Sequence, residues 1–315
     1  MHQTSPLIAI CVATYLRPRY LRSLLKSIEK IETVGFQSHL IIVDNDVNGS
    51  AQPVVNDLIE LLPLPVTYLI EPTRGIAIAR NKLVEAANTI GADYVAFVDD
   101  DQFVDPDWLR YLLDTAQAMN VDAVGGRWIA YYQEGVPGWF KSGNLRNGDD
   151  QTPTGTRVVQ LNTGGVLIRL AAMNMIPGPF DVRDNMTGGE DYQFFEQFNR
   201  LGYVSVKCRE SIVYERIPAS RATAPWYIKR QFRYGVDKAV RYRRSAPSPS
   251  RIRTGVFLAG IFISSGKHSF LLVPRLLLRG RAGIVRSIGA FAYELGCLVG
   301  LVGMTYKEYS KTHGE

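Results

Sequence analysis

Three carboxylates stand side by side at Asp99, Asp100 and Asp101, directly after the apolar run Tyr94–Val98. Like charges repel, and these leave a segment that reads as buried. Such a cluster suits a hard divalent cation, which typically takes one or two carboxylates together with substrate phosphates. Asp99 and Asp101 are the better pair, because alternate residues leaving a strand point the same way. A solvated, Asp-rich turn is the other reading. A second acidic pair, Glu190 and Asp191, ends "GGED". The glycines allow close approach of a ligand, and a helix N-terminus would hold Asp191 ionised as a base; an ordinary cap is the alternative. "RGIAIARN" offers Arg74 and Arg80, whose planar forks suit phosphate unless they are surface arginines. "WYIKRQFRYG" sets Lys229, Arg230 and Arg233 on a phosphate patch or a solvated helix face.

These residues need elements to hold them. Residues 7–13 read as a strand covered on both faces, and Pro18 opens a helix whose Leu21, Leu24, Leu25, Ile28 and Ile31 share one side. Strands at 40–46, 66–72 and 93–98 alternate with helices at 51–62, 76–90 and 106–119, the last with Pro106 in its first turn. This alternation predicts an α/β fold with a mostly parallel sheet, binding ligands at the carboxyl ends of its strands. Those ends carry Thr14 and Tyr15, then Asp44, Asn45 and Asp46, then Glu71, then the three acids. From 121 the pattern changes to longer strands, "VDAVGGRWIAYY" and "VVQLNTGGVLIR". The Gly/Pro/Asn-rich loop between them offers Trp139 and Phe140 as a grip. A helix over 190–201 and a strand, "YVSVKCRESIVYE", follow.

The chain has 315 residues, 46% of them hydrophobic, enough for one large domain or two smaller ones. Its net charge of +6 is unevenly spread. Residues 1–220 hold 19 Lys and Arg against 26 Asp and Glu; residues 221–315 hold 17 against 4. No aromatic interleaving accompanies the basic residues, so nucleic acid is not the expected partner. Cys11, Cys208 and Cys297 are scattered and imply a reducing compartment; four dispersed histidines exclude a His-based zinc site. The first apolar run lacks a basic lead and is not read as a secretory signal. Beyond "PSPS" (247–250), read as a linker, apolar blocks at 255–266, 270–278 and 288–304 are interrupted by Lys267, Arg275, Arg279, Arg281 and Arg286. That pattern predicts helices in a membrane interface rather than a spanning helix.

The order of the motifs is more specific than any one of them. Strand–"ATYLRP", strand–"VDND", "RGIAIARN", strand–"VDDD", "TGG" and "GGEDYQFFEQFNRLGY" resemble the family 2 inverting glycosyltransferases of the GT-A fold, over roughly residues 6–240. "DDDQFVDPDWL", "PGWFKSGNL" and "SRATAPWYIKRQFRYG" are similar to bacterial exopolysaccharide β-glucosyltransferases of the succinoglycan-assembly type.

The resemblance implies a Rossmann-like catalytic domain at 1–222. Its nucleotide-sugar half lies at about 1–120 and its acceptor half at about 121–222, before a helical, basic membrane-associating region at 223–315. It implies that Thr14, Tyr15 and Arg17 cradle the nucleotide base, that Asp44, with Asp46 nearby, reads base or ribose, and that Arg74 and Arg80 line the nucleotide site. Asp99 and Asp101 match the DxD motif, with Asp101 on Mg²⁺ or Mn²⁺ and Asp100 counted among the donor-binding residues. Gly164 and Gly165 lie close to the donor sugar. Asp191 is the expected base, with Glu190 beside it; Trp139, Arg230 and Arg233 are candidates for acceptor or phosphate. The chain departs from relatives at "QFRYG", which lacks the QxxRW motif of processive synthases, and at "VYERIPAS", where Glu215 stands in place of a His ligand. The expected activity is transfer of a single sugar, from a nucleotide sugar such as a UDP-sugar, to a polyprenyl-diphosphate-linked glycan. It would act at the cytoplasmic face of the membrane as a monotopic protein, alone or as a homo-oligomer. Alternatives are a polyprenyl-phosphate, protein or teichoic-acid transferase, or a degenerate scaffold. A sugar-nucleotide pyrophosphorylase is disfavoured, because "ATYLRPRYL" has no glycine.

Overall fold

The computed structural model describes residues 5–146, 149–184, 188–244, 251–270 and 272–304; side chains at 184, 251–253, 262, 265–270 and 272–279 lie outside the description. The expected linker at 247–250, and the side chains of Lys267, Arg275 and Arg279, are therefore outside the described residues. The chain divides into two compact units: the described residues of Met1–Tyr131 with Asp149–Arg216, and those of Tyr132–Gly148 with Ile217–Glu308.

The first unit is built on β1 (Leu7–Thr14), β2 (Gln37–Asp44), β3 (Val66–Ile70), β4 (Tyr94–Phe97), β5 (Gln102–Val104), β6 (Ala123–Tyr132), β7 (Val166–Arg169) and β8 (Ser205–Ile217). They form one mixed sheet in the order β3-β2-β1-β4-β7-β6-β8-β5. The half β3-β2-β1-β4 is parallel, while β7 runs antiparallel to both β4 and β6. Helices α1 (Pro18–Ile28), α2 (Gln52–Leu58) and α3 (Ile76–Thr89) provide the crossovers that parallel strands require, and α4 (Trp108–Met119) joins β5 to β6. The α1 face predicted from its spacing is buried, with Leu21, Leu24, Leu25 and Ile28 packed against alternate β1 residues Ile8, Ile10 and Val12. On the opposite face, Ala9 and Cys11 meet Ala77, Leu83 and the Phe194–Phe195–Phe198 cluster.

Three elements differ from expectation for local reasons. The helix expected over 51–62 stops at Leu58 and closes as a 3₁₀ turn, Ile59–Leu61. Pro106 precedes α4 rather than opening it, because the Trp108 N–H turns back to the Asp105 carbonyl. The long strand expected before Arg169 is only Val166–Arg169, because Gly165 takes φ 89° and breaks the extended run.

In chain order the remaining helices are α5 (Gly138–Ser142), α6 (Leu170–Met173), α7 (Glu190–Arg200), α8 (Ala224–Arg244), α9 (Arg251–Phe270) and α10 (Leu272–Leu301); α6 and α7 belong to the first unit. In the second unit α10 bends at Gly280 (φ 49°, ψ −134°) and packs along α8. Glycines allow that approach: a Cβ at Gly235 would collide with the Tyr293 carbonyl, and one at Gly296 with that of Phe232. The segment Gly280–Leu301 is long and apolar enough to cross a membrane, with 39% of its 18-residue apolar stretch buried in the protein. The sequence reading had broken this run at its arginines.

Candidate active site

Each acid of the cluster has a different environment. β4 ends at Phe97, whose carbonyl accepts the Gly165 N–H (2.9 Å), so the "TGG" turn lies beside the acids. Asp99 Oδ1 accepts Arg80 Nη2 (3.1 Å), and the Asp99 N–H donates to Gln102 Oε1 (3.0 Å). A Cβ at Gly164 would sit 2.5 Å from Gln102 Nε2 and 3.1 Å from Asp99 Oδ2, so a larger residue would crowd this carboxylate and displace Gln102. Asp100 turns inward, accepting Thr14 Oγ1 (2.9 Å) and Arg17 Nη1 (3.0 Å). Asp101 Oδ2 lies 3.5 Å from the same Arg17 nitrogen, and its carbonyl accepts the Arg216 N–H. Leu16, held at φ 53°, is the strained residue between Tyr15 and Arg17.

The charges are imperfectly compensated. Burial raises the Asp99 carboxyl above its ordinary range, opposed by Arg80 and reinforced by Asp101 and Glu215. The side chain nevertheless keeps 43% of its surface exposed, so a ligand can reach it. Burial raises Asp100 to about 6 despite Arg17, with Asp101 adding to the rise. Among the described residues no three His, Cys, Asp or Glu side chains form a complete cation cage. The hard oxygens and excess negative charge around Asp99 and Asp101 fit a cation that completes its shell with substrate phosphates.

Arg80 lies in α3, buried, and donates Nη1 to Glu190 as well as Nη2 to Asp99; its guanidinium is 5.8 Å from the Phe180 ring centre. The residue expected to line the nucleotide site is thus turned to two protein carboxylates. Gly188 and Gly189 (φ 79° and 93°) lead into α7. Behind them Glu190 is buried, its Oε2 without a hydrogen-bond partner, and burial raises its carboxyl to about 7 against the pull of Arg80. Asp191, half-buried, accepts the Tyr192 N–H at Oδ1 (2.7 Å). Oδ2 has no partner among the described residues.

Asp44 is fully buried and holds its own loop: Oδ1 accepts the Asp46 N–H, and Oδ2 accepts the Ala51 N–H (2.7 Å) and Tyr68 Oη (2.8 Å). Asp46 in turn accepts the Asn48 N–H. Both oxygens of Asp44, the acid expected to read base or ribose, are thus engaged within the protein. Asn45 ties the neighbouring loop, donating to the Glu71 and Thr73 carbonyls and accepting the Gly75 N–H. The Arg74 guanidinium lies 4.6 Å from the Tyr15 ring centre. Sequence reasoning missed Gln102, Tyr68 and Phe180. Gln102 alone had a local signal, a buried polar residue directly after the acids.

Trp139, Arg230 and Arg233 belong to the second unit. There the Arg281 guanidinium lies 4.5 Å from the Trp139 ring centre, and Arg230 lies 5.0 Å from that of Trp226.

The half-parallel sheet, the acid cluster following β4 and the carboxylates opening α7 define a transferase of the GT-A fold. The chain belongs to glycosyl transferase family 2, whose sequence model matches residues 9–175. It is 32% identical over 231 residues to the succinoglycan biosynthesis protein ExoM of Rhizobium meliloti (strain 1021), covering 72% of each chain. It is 25% identical over 247 residues to the glucosyl-dolichyl phosphate glucuronosyltransferase of Haloferax volcanii, covering 74% of this chain and 76% of that one. Among solved structures, the mannosyltransferase PcManGT from Pyrobaculum calidifontis, in complex with GDP-Man and Mn²⁺, superposes with TM-score 0.63 at 15% identity, over 96% of this chain and 88% of that one. S. aureus TarS 1-349 in complex with UDP-GlcNAc gives 0.51 at 15% identity, over 96% and 93%. The protein is therefore a glycosyltransferase, of a family that inverts the anomeric centre.

Proposed function

We propose that the enzyme transfers one sugar, from a nucleotide sugar such as a UDP-sugar, to a lipid-linked glycan in polysaccharide assembly. The observation that carries this reading is the contrast between adjacent acids at the start of α7. Glu190 is buried on Arg80, whereas Asp191 keeps one oxygen open. Asp191 takes the proton of the acceptor hydroxyl as its oxygen attacks the anomeric carbon, and one displacement inverts that centre. Asp99 and Asp101 would hold Mg²⁺ or Mn²⁺, which neutralises the departing diphosphate when bound. Thr14 and Arg17 fix Asp100 and so the direction of the cluster; Tyr15 and Arg74 offer a stacked, cationic edge to the nucleotide. Gly164 and Gly165 leave room for the donor sugar. Residues up to about 120 serve the donor and 121–222 the acceptor.

The archaeal relative is named a glucosyl-dolichyl phosphate glucuronosyltransferase, which favours a lipid-linked acceptor. The R. meliloti relative favours exopolysaccharide assembly. Residues 223–315 would rest on the cytoplasmic membrane face. That placement is supported by exposed Ile288, Leu295 and Leu298 on one side of α10 and by the basic residues of α8. Packing against α8 favours a monotopic arrangement, since a spanning α10 would draw those charges into the bilayer. Thermal-shift measurements with nucleotide sugars and Mg²⁺ or Mn²⁺, followed by transfer assays, test the reading. Stabilisation by a UDP-sugar that is lost in EDTA and in Asp101→Ala is expected. Absence of nucleotide-sugar turnover with every donor and metal would refute it.

A further inference from the structure

The second unit contains an arrangement that the transfer chemistry leaves unused. Trp226, at the start of α8, has the guanidinium of Arg230 5.0 Å from its ring centre and that of Arg146 at 6.0 Å. One turn on, the Tyr234 ring lies 5.2 Å from Arg230 and 5.0 Å from Arg233. Three permanent cations thus gather on two aromatic rings.

Arg233 lies 3.6 Å from Asp237, but Arg230 has no carboxylate partner among the described residues. Its Nε donates to Tyr234 Oη (2.5 Å), while its two terminal nitrogens have no protein acceptor there. The side chain is half-buried, so those nitrogens are only partly hydrated. An isolated surface arginine would be left mobile in water. Here the neighbouring Trp226 ring and the hydrogen bond to Tyr234 Oη restrain the fork, lowering the entropy cost of binding an anion. Arg146 brings a second cation to the same indole from a distant part of the sequence. A fixed, planar, multiply cationic receptor matches the bidentate geometry of phosphate oxygens.

We propose that Arg230, held by Trp226 and Tyr234 and assisted by Arg146, binds the phosphate headgroup of the lipid-linked acceptor. This rests on the lipid-linked reading of the acceptor. It adds the residues that recognise the headgroup, as distinct from the sugar that is glycosylated.

The experiment titrates the full-length protein with farnesyl diphosphate, farnesyl monophosphate, inorganic pyrophosphate, and UDP with Mg²⁺, following Trp fluorescence and calorimetric heat. Farnesyl diphosphate and farnesyl monophosphate should both bind more tightly than pyrophosphate. Arg230→Ala should weaken both about 10- to 100-fold, the scale of losing charge-assisted hydrogen bonds. Arg230→Lys should fall between, because it keeps the charge and loses the fork. UDP affinity should stay within about twofold in each variant. Arg146→Ala, expected to weaken farnesyl diphosphate in the same direction, decides the matter should Arg230→Ala not fold. Unchanged farnesyl diphosphate affinity in the folded variants overturns the proposal, as does no binding by the wild type. A parallel loss of UDP affinity reassigns the arginines to the donor, and equal affinity for pyrophosphate reassigns them to a free anion; either overturns it. Transfer to a free glycan but to no lipid-linked one in the transfer assay would instead sink the lipid-linked reading, so the two failures are separable.

Discussion

Asp99 and Glu190 are joined through one guanidinium: Arg80 donates to both, from α3, and so ties the acid cluster to the first turn of α7. The residue that precedes the proposed base is thereby locked to the proposed metal ligand. Arg80→Ala should release both. It would leave Glu190 buried without its cation; its carboxyl, already raised to about 7, then keeps its proton near neutral pH, so the loss should be small in mild acid and approach roughly 3–5 kcal/mol only at alkaline pH, where Glu190 would have to ionise. Chemical denaturation would register that loss, and turnover would fall with it. Retention of wild-type stability at alkaline pH would mean that Glu190 is satisfied by some other route.

The pH dependence of stability follows from Glu190. Its folded pKa, about 7, lies above the ordinary glutamate value, because burial outweighs Arg80. The folded state therefore binds the proton more tightly than the unfolded chain does. The stabilisation is fully present below the unfolded value of about 4.5 and is lost as pH rises through about 7. Asp100, raised to about 6, acts in the same direction. Thermal unfolding from pH 4.5 to 8 without divalent cations should show Glu190→Gln gaining on the wild type as pH rises. Parallel curves would place the titration elsewhere.

Asp191→Asn keeps the shape of the side chain and removes its basicity. Transfer should drop roughly 10²–10⁴-fold, while the donor still binds. Calorimetry with UDP and Mg²⁺, run beside a radiolabelled transfer assay, separates the two quantities. A variant that loses donor affinity but retains turnover when saturated would make Asp191 a binding residue.

Leu295 is 56% exposed on the outer face of α10, opposite the glycines that meet α8. Leu295→Glu should leave the melting temperature within a few degrees of wild type, because surface changes typically cost under about 0.5 kcal/mol. It should sharply reduce flotation with anionic liposomes, by adding a negative charge to the inserting face. Flotation equal to wild type would place the membrane contact on another surface.

The sequence by itself determined the alternation that makes a parallel half-sheet, the position of the acids after β4, the acidic start of α7 and the charge contrast between the two ends. All are local properties. Period 2 or 3.6 decides which side chains share a face, and a strand that ends in glycine or aspartate is visible without knowing its neighbours. Only tertiary structure decided which partner each polar group finds. Asp99, Asp100 and Asp101 are adjacent in the chain. Yet Asp99 meets Arg80, Asp100 meets Thr14 and Arg17, and Asp101 shares Arg17, because each faces a different element. The two oxygens of Asp44, the acid expected to read base or ribose, hold Asp46, Ala51 and Tyr68. Glu190 and Asp191 differ by one position and point to opposite environments, one buried and one open. A carboxylate's sequence neighbours do not reveal how much water it keeps, or which cation the packing of distant helices and strands brings to it.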